Sequence, residues 1–172
     1  MAETDTDRDF ARIASGREAV MKAGAVVVAV DGSPASEAAL RQAKAKARNE
    51  GWSLTGIFAL DTGWADHIGN ARTQVDDARK GFLDYAGSEL ELQIEAARAQ
   101  FAAATEDFTG DTAFEVVPGD PIDTLCEIMA CSNRSFSMLV AGREVFQICG
   151  RPSVKRLAHE LQQCVRQPLV IV

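Results

Sequence analysis

Positive charge is in short supply: 18 Lys and Arg stand against 25 Asp and Glu, a formal net charge of −7 with a sequence pI near 4.9. A sequence-independent grip on nucleic-acid phosphates or anionic lipid is therefore disfavoured, although a local basic pocket stays open. No apolar run approaches the roughly 18 residues that span a bilayer, so no membrane role is expected. The stretch from Met1 to Asp9 is acidic where a secretory signal would be basic, no apolar segment follows it directly, and a cytoplasmic location is expected. Proline is scarce, five in 172 residues, and 47% of the chain is hydrophobic with 25% charged. That composition excludes disordered, collagenous and small disulfide-stapled chains, and the length suits one domain with a sizeable core.

Catalytic signatures are missing as well. There is no Gly-x-Ser-x-Gly, no Walker loop and no His-Glu-x-x-His, and no serine, cysteine or lysine has a recognisable base partner. The sequence offers no positive argument for an enzyme. Cysteines are few: Cys126, Cys131, Cys149 and Cys164, with no C-x-x-C pair. Cys126 and Cys131 lie about 140° apart around a helix, so they share no face. In a reducing compartment all four are expected as free thiols, with no metal bound.

What is present is an alternation of short dense apolar runs with longer amphipathic segments, the pattern of a parallel sheet wrapped by helices. Val26 to Val30 is apolar at every position and too short for a helix, so it predicts a strand buried on both faces. Further strands are expected at Leu54 to Leu60, Ala113 to Val117, Phe136 to Ala141 and Leu169 to Val172. Ser33-Pro34 and Asp120-Pro121 each place a capping side chain before a proline suited to a first helical turn. Helices are expected from Pro34 to about Asn49, Thr73 to Glu106, Pro121 to about Cys131 and Ser153 to Gln163. A short amphipathic helix is expected from Phe10 to Met21, in an N-terminal extension of residues 1–23 preceding a domain of residues 24–172. The long loop from Asp61 to Asn70 holds Trp64, Asp66 and His67, read either as a lid or as an exposed polar loop. His159, in the last helix, reads as a surface or packing residue.

Right-handed crossovers force helices onto both faces of such a sheet, and ligands bind where the carboxyl ends of neighbouring strands diverge. Asp31 and Gly142, at the ends of the first and fourth strands, are the first places to look. Asp31 is either a ligand contact or a turn residue holding Gly32 and Ser33.

The run from Val27 to Ser33, the Gly119-Asp120-Pro121 turn, Leu139-Val140-Ala141-Gly142 and the final Gln167-Pro168-Leu169-Val170-Ile171-Val172 together resemble the universal stress protein family, over Gly24 to Val172. The resemblance implies a doubly wound, open, parallel five-stranded α/β sheet of order 3-2-1-4-5 with helices on both faces. It also implies an ATP or other adenine-nucleotide site. Asp31 and Gly32 would lie near the sugar or base, and backbone at about Ala59 and Leu60 near adenine. A Gly-x2-Gly-x9-Gly-Ser/Thr loop would cradle the phosphates on amide donors and a helix N-terminus.

Gly142 matches the first glycine of that loop, but Val145 stands at the second and Lys155-Arg156 at the third. A shortened loop would use Gly150-Arg151-Pro152-Ser153, with Pro152 lacking an amide donor. Arg143, Arg151, Lys155 and Arg156 concentrate positive charge there, either to hold phosphate or as plain solvated residues. The chain resembles the family branch without an intact ATP loop.

Leu169 to Val172 forms an apolar edge strand, and the resemblance implies a homodimer paired through it. The first expectation is a dimeric regulator with a degenerate nucleotide pocket. The alternatives are a true ATP-binding protein or slow nucleotide hydrolase, and a nucleotide-free module that holds an unidentified protein partner with the dimer surface and the Phe10 to Met21 helix.

Overall fold

Among the described residues five strands and four helices alternate, each strand but the last followed by a helix. The computed structural model describes residues 24–61, 76–131, 133–146 and 154–172. The elements are β1 (Ala25–Ala29), α1 (Pro34–Glu50), β2 (Ser53–Leu60), α2 (Asp76–Thr105), β3 (Thr112–Pro118), α3 (Pro121–Ala130), β4 (Phe136–Ala141), α4 (Val154–Cys164) and β5 (Leu169–Ile171). The expected Phe10 to Met21 helix lies outside the described residues, as does the His67 loop beyond Asp61. All neighbouring strands run parallel, in the order β3-β2-β1-β4-β5.

The caps follow the local chemistry. Ser33 is extended (φ −80°, ψ 163°) and its side chain accepts from the Ser36 N–H; Pro34 follows it into α1. Gly51 ends that helix in the left-handed region at φ 66°, its N–H donating to the Ala47 carbonyl. The Asp120 carboxylate accepts from the Ile122 and Asp123 N–H groups at the start of α3.

Because side chains alternate across a strand, the central strands feed two separate cores. Val27, Ala29, Ile57, Ala59, Leu139 and Ala141 face Leu125 and Met129 of α3 and Leu157 and Leu161 of α4. Val26, Val28, Val30, Leu54, Phe58 and Val140 face Ala39, Leu40, Ala43 and Ala47 of α1, with Ala97 and Phe101 of α2. The alanine stripe of α1 lets that helix lie close to the sheet.

One expectation is overturned. Cys126 of α3 and Cys164 of α4 are joined in a disulfide with Cα atoms 5.7 Å apart, across 38 residues of sequence. The free-thiol reading compared only short spacings along the chain. The pair is made by two helices packed side by side on one face of the sheet. Cys131 is free and exposed, and Cys149 lies outside the described residues. Among the described residues no helix is long and apolar enough to cross a membrane.

Candidate functional site

At the carboxyl edge of the sheet the chain leaves β1 and β4, adjacent strands whose helices lie on opposite faces. This is where the topology places a ligand crevice. The turn after β1 is built on Asp31, which is 8% exposed. Its Oδ1 accepts from the Ser33 N–H at 2.9 Å, and its Oδ2 accepts from the Phe146 N–H at 2.8 Å, across 115 residues of sequence. The Asp31 and Gly142 corners thus meet, and one carboxylate holds them together. Both of its oxygens are engaged by backbone amides.

Gly32 sits at φ +82°, where a side chain is strained, and a Cβ there would lie 3.2 Å from that of Ala96 on α2. Ser33 is fixed further by α2. Its carbonyl accepts from the Gln100 Nε2 at 3.0 Å and from the Glu37 N–H at 3.1 Å. The buried Ser36 hydroxyl lies 2.9 Å from that carbonyl and 2.6 Å from the Gln100 Oε1.

Beyond β4 the described backbone, through Phe146, turns back onto the sheet. A Cβ on Gly142 would stand 2.6 Å from the Ala35 carbonyl carbon and 2.9 Å from the Ala35 Cβ, so this glycine is required by the first turn of α1. The Arg143 N–H donates to the Val172 carbonyl at 2.8 Å and its residue is exposed, while the Val172 N–H donates to Ala141 and extends the β4–β5 ladder past Ile171. Val145 and Phe146 then turn inward and join the α3–α4 core, Phe146 at 6% exposure. Phe146 adopts φ +60°, an uncommon conformation for a bulky residue. Its ring meets Phe58, from the opposite core, edge-on at 6.1 Å between centroids.

Ala59 and Leu60 border the same crevice. The Ala59 side chain is buried in the core that receives Val145 and Phe146. Val30 donates to the Ile57 carbonyl, so by strand alternation the Ala59 peptide faces the β1 side, beyond the last β1–β2 pair at Ala29 and Ile57. The Leu60 carbonyl accepts from the Gly119 N–H at 2.9 Å. Gly150 and Ser153, and with them Arg151, lie outside the described residues.

An open groove of about 360 Å³ runs beside the crevice, lined by Asp31, Gly32, Ser33, Leu92, Gln93 and Ala96. The Gln93 Oε1 is buried without a hydrogen-bond partner. Gln93 and Gln100 were missed by sequence reasoning. Their only mark was a polar residue recurring at a seven-residue interval beside the apolar stripe of Ile94, Ala97 and Phe101. Phe146 had no mark at all.

The sequence matches the universal stress protein family over residues 23–158. No curated protein matches it significantly. Among solved structures it is similar to the universal stress protein UspA from Lactobacillus plantarum, at 16% identity and TM-score 0.61, covering 87% of this chain and 97% of that one. It is similar to a universal stress protein in complex with cAMP, at 20% identity and TM-score 0.58, covering 87% and 96%. It is also similar to one from Archaeoglobus fulgidus in complex with dAMP, at 16% identity and TM-score 0.54, covering 86% and 96%. With a family match over more than three-quarters of its length and the 3-2-1-4-5 parallel sheet beneath it, the chain belongs to the universal stress protein family.

Proposed function

We propose that this protein is a cytoplasmic regulator of stress responses that acts by binding, as a homodimer, and whose adenine-nucleotide crevice is degenerate because its own chain closes it. The observation that carries this reading is the Asp31 to Phe146 hydrogen bond. A carboxylate that meets a ribose hydroxyl needs a free lone pair and an open approach. Here each oxygen already accepts one amide N–H and the residue is only 8% exposed, which narrows the approach to the remaining lone pairs, and the backbone that would have to lie open for phosphate turns inward as Val145 and Phe146.

The test is to denature purified protein, identify the small molecules released, and measure melting with ATP and magnesium. Expected are no stoichiometric adenine nucleotide and a melting shift below about 1 °C, since a ligand that does not bind the native state does not stabilise it. Adenine nucleotide at near one per chain overturns the proposal.

A second reading, true adenine-nucleotide binding, is favoured by the groove beside Asp31. Its unpartnered Gln93 Oε1 is an acceptor suited to the N–H of an adenine amino group. Related proteins solved with cAMP and dAMP bear on the same reading. It requires an ATP-induced melting shift that Gln93→Leu abolishes.

Dimerisation is assigned to the β5 edge. Val172 donates inward to Ala141 and Pro168 accepts inward from Leu139, so the Leu169 and Ile171 peptides point outward, away from β4. A second β5 strand pairs with those groups. Ile171→Pro removes one outward N–H and leaves the inward ladder intact. Sedimentation should then show a monomer, and a dimer that survives both this change and Val170→Lys contradicts the assignment.

A further inference from the structure

The Cys126–Cys164 bond divides the molecule unequally. The loop it closes contains β4, the Gly142 corner and all of α4. Directly beyond Cys164 the chain passes through the buried Val165 into β5. The same helix α3 receives a second tie from this region, as the Gln167 Nε2 donates to the Met129 carbonyl at 2.7 Å. Strands β1 to β3 and helices α1 and α2 lie outside the closed loop altogether.

The two cysteine residues are unequal in exposure. Cys126 is half-buried against the core, whereas Cys164 closes its helix on the exposed surface. Thiol–disulfide exchange requires a thiolate to reach one sulfur, and here Cys164 is reachable without unfolding. The Cα separation of 5.7 Å lies inside the range that a disulfide spans, so the packed helices hold the two cysteines at bonding distance.

We propose that the Cys126–Cys164 pair is a redox-responsive staple. Oxidised, it fixes the β4–α4–β5 third of the fold; reduced, it releases that third while the rest of the sheet stays as it was. The exchange partner is a low-molecular-weight thiol of the glutathione class. Its thiolate attacks the Cys164 sulfur to form a mixed disulfide, and Cys126 leaves as a thiolate and takes up a proton. A second small thiol attacks the mixed disulfide on its own sulfur, freeing the Cys164 thiol and leaving one small-molecule disulfide. Two electrons and two protons enter the protein pair. Oxidation reverses the same two steps, with the small-molecule disulfide as electron acceptor. The released third carries both the Gly142 corner and the β5 edge, so one reaction bears on the crevice and on the edge strand together. It does not depend on whether a nucleotide binds.

The experiment equilibrates the full-length chain in buffers of varied reduced-to-oxidised glutathione ratio, quenches in acid, alkylates and maps the linkage by peptide mass spectrometry. Hydrogen exchange and melting are measured on the two end states. Expected is reversible conversion between a Cys126–Cys164 bond and two alkylated thiols. Amide exchange across residues 154–172 should be at least tenfold faster when reduced, with β1 to β3 unchanged. The melting temperature should fall by about 10 °C on reduction, as loss of a loop of this length implies. The double variant Cys126→Ser, Cys164→Ser should behave as the reduced form at every ratio. The proposal is overturned if no such linkage forms at any ratio, if it persists at the most reducing ratio, or if it forms and breaks with exchange in residues 154–172 unaltered.

Discussion

The turns after β1 and β4 meet at one crevice, yet they are built on opposite principles. The first is closed chiefly by its own neighbours: Asp31 bonds to Ser33, Ser33 caps α1, and Gly32 supplies the positive φ that the turn needs. The second is held by residues far along the chain: Gly142 by Ala35, Arg143 by Val172, and Phe146 by Asp31 and Phe58. A turn of the first kind is specified before the chain folds. A turn of the second kind acquires its shape only when the sheet is assembled, so side chains there affect the fold as a whole.

That contrast predicts a ranking of damage. Gly142→Val should be the worst, costing about 3 kcal/mol in denaturant unfolding, because the added atoms meet backbone that the sheet and α1 both hold in place. A loss under 1 kcal/mol would show that the β4 corner yields more easily than its contacts imply. Asp31→Ala strikes the hydrogen bond that joins the corners and leaves the buried Phe146 N–H without its acceptor, for about 2 kcal/mol. Asp31→Asn, which keeps one carbonyl oxygen, should lose less.

Ser33→Ala tests the local corner alone. Loss of one cap bond should cost about 0.5 to 1 kcal/mol, and less if the Gln100 hydrogen bond to the Ser33 carbonyl holds the turn unaided. The smallest effect is expected well away from both corners. Lys44 and then Arg48 hold the exposed Asp107 carboxyl down from 3.8 to about 2. A depressed carboxylate contributes stability above its unfolded value and loses it as pH falls through its folded one. The stability difference between the parent and Asp107→Asn should therefore be flat above pH 5 and close between about pH 4 and pH 2. It should shrink in high salt at neutral pH.

Much of the architecture was legible because it rests on short-range physics. Val26 to Val30 is too short and too apolar for anything except a buried strand, four further short runs rich in apolar residues mark the other strands, and Ser33-Pro34 and Asp120-Pro121 announce helix starts. Each lies within a residue or two of its expected place. The site was legible in part. Asp31 was singled out with both of its readings; its carboxylate holds the Ser33 turn and also bridges to Phe146, which no spacing foretold. Gly142 was singled out for phosphate approach, and no spacing foretold that its absent side chain also makes room for Ala35.

By itself the sequence determined the period of its hydrophobic residues, its caps and its turn chemistry, and through them the order of strands and helices and the family to which the chain belongs. Those features depend on contacts within one or two turns of the backbone. Only the tertiary structure decided that Phe146 would close on Asp31, that Gln100 would brace Ser33, and that Cys126 would bond to Cys164. Each of those partnerships spans tens of residues and forms only when separate elements pack against one sheet, so no local pattern records it.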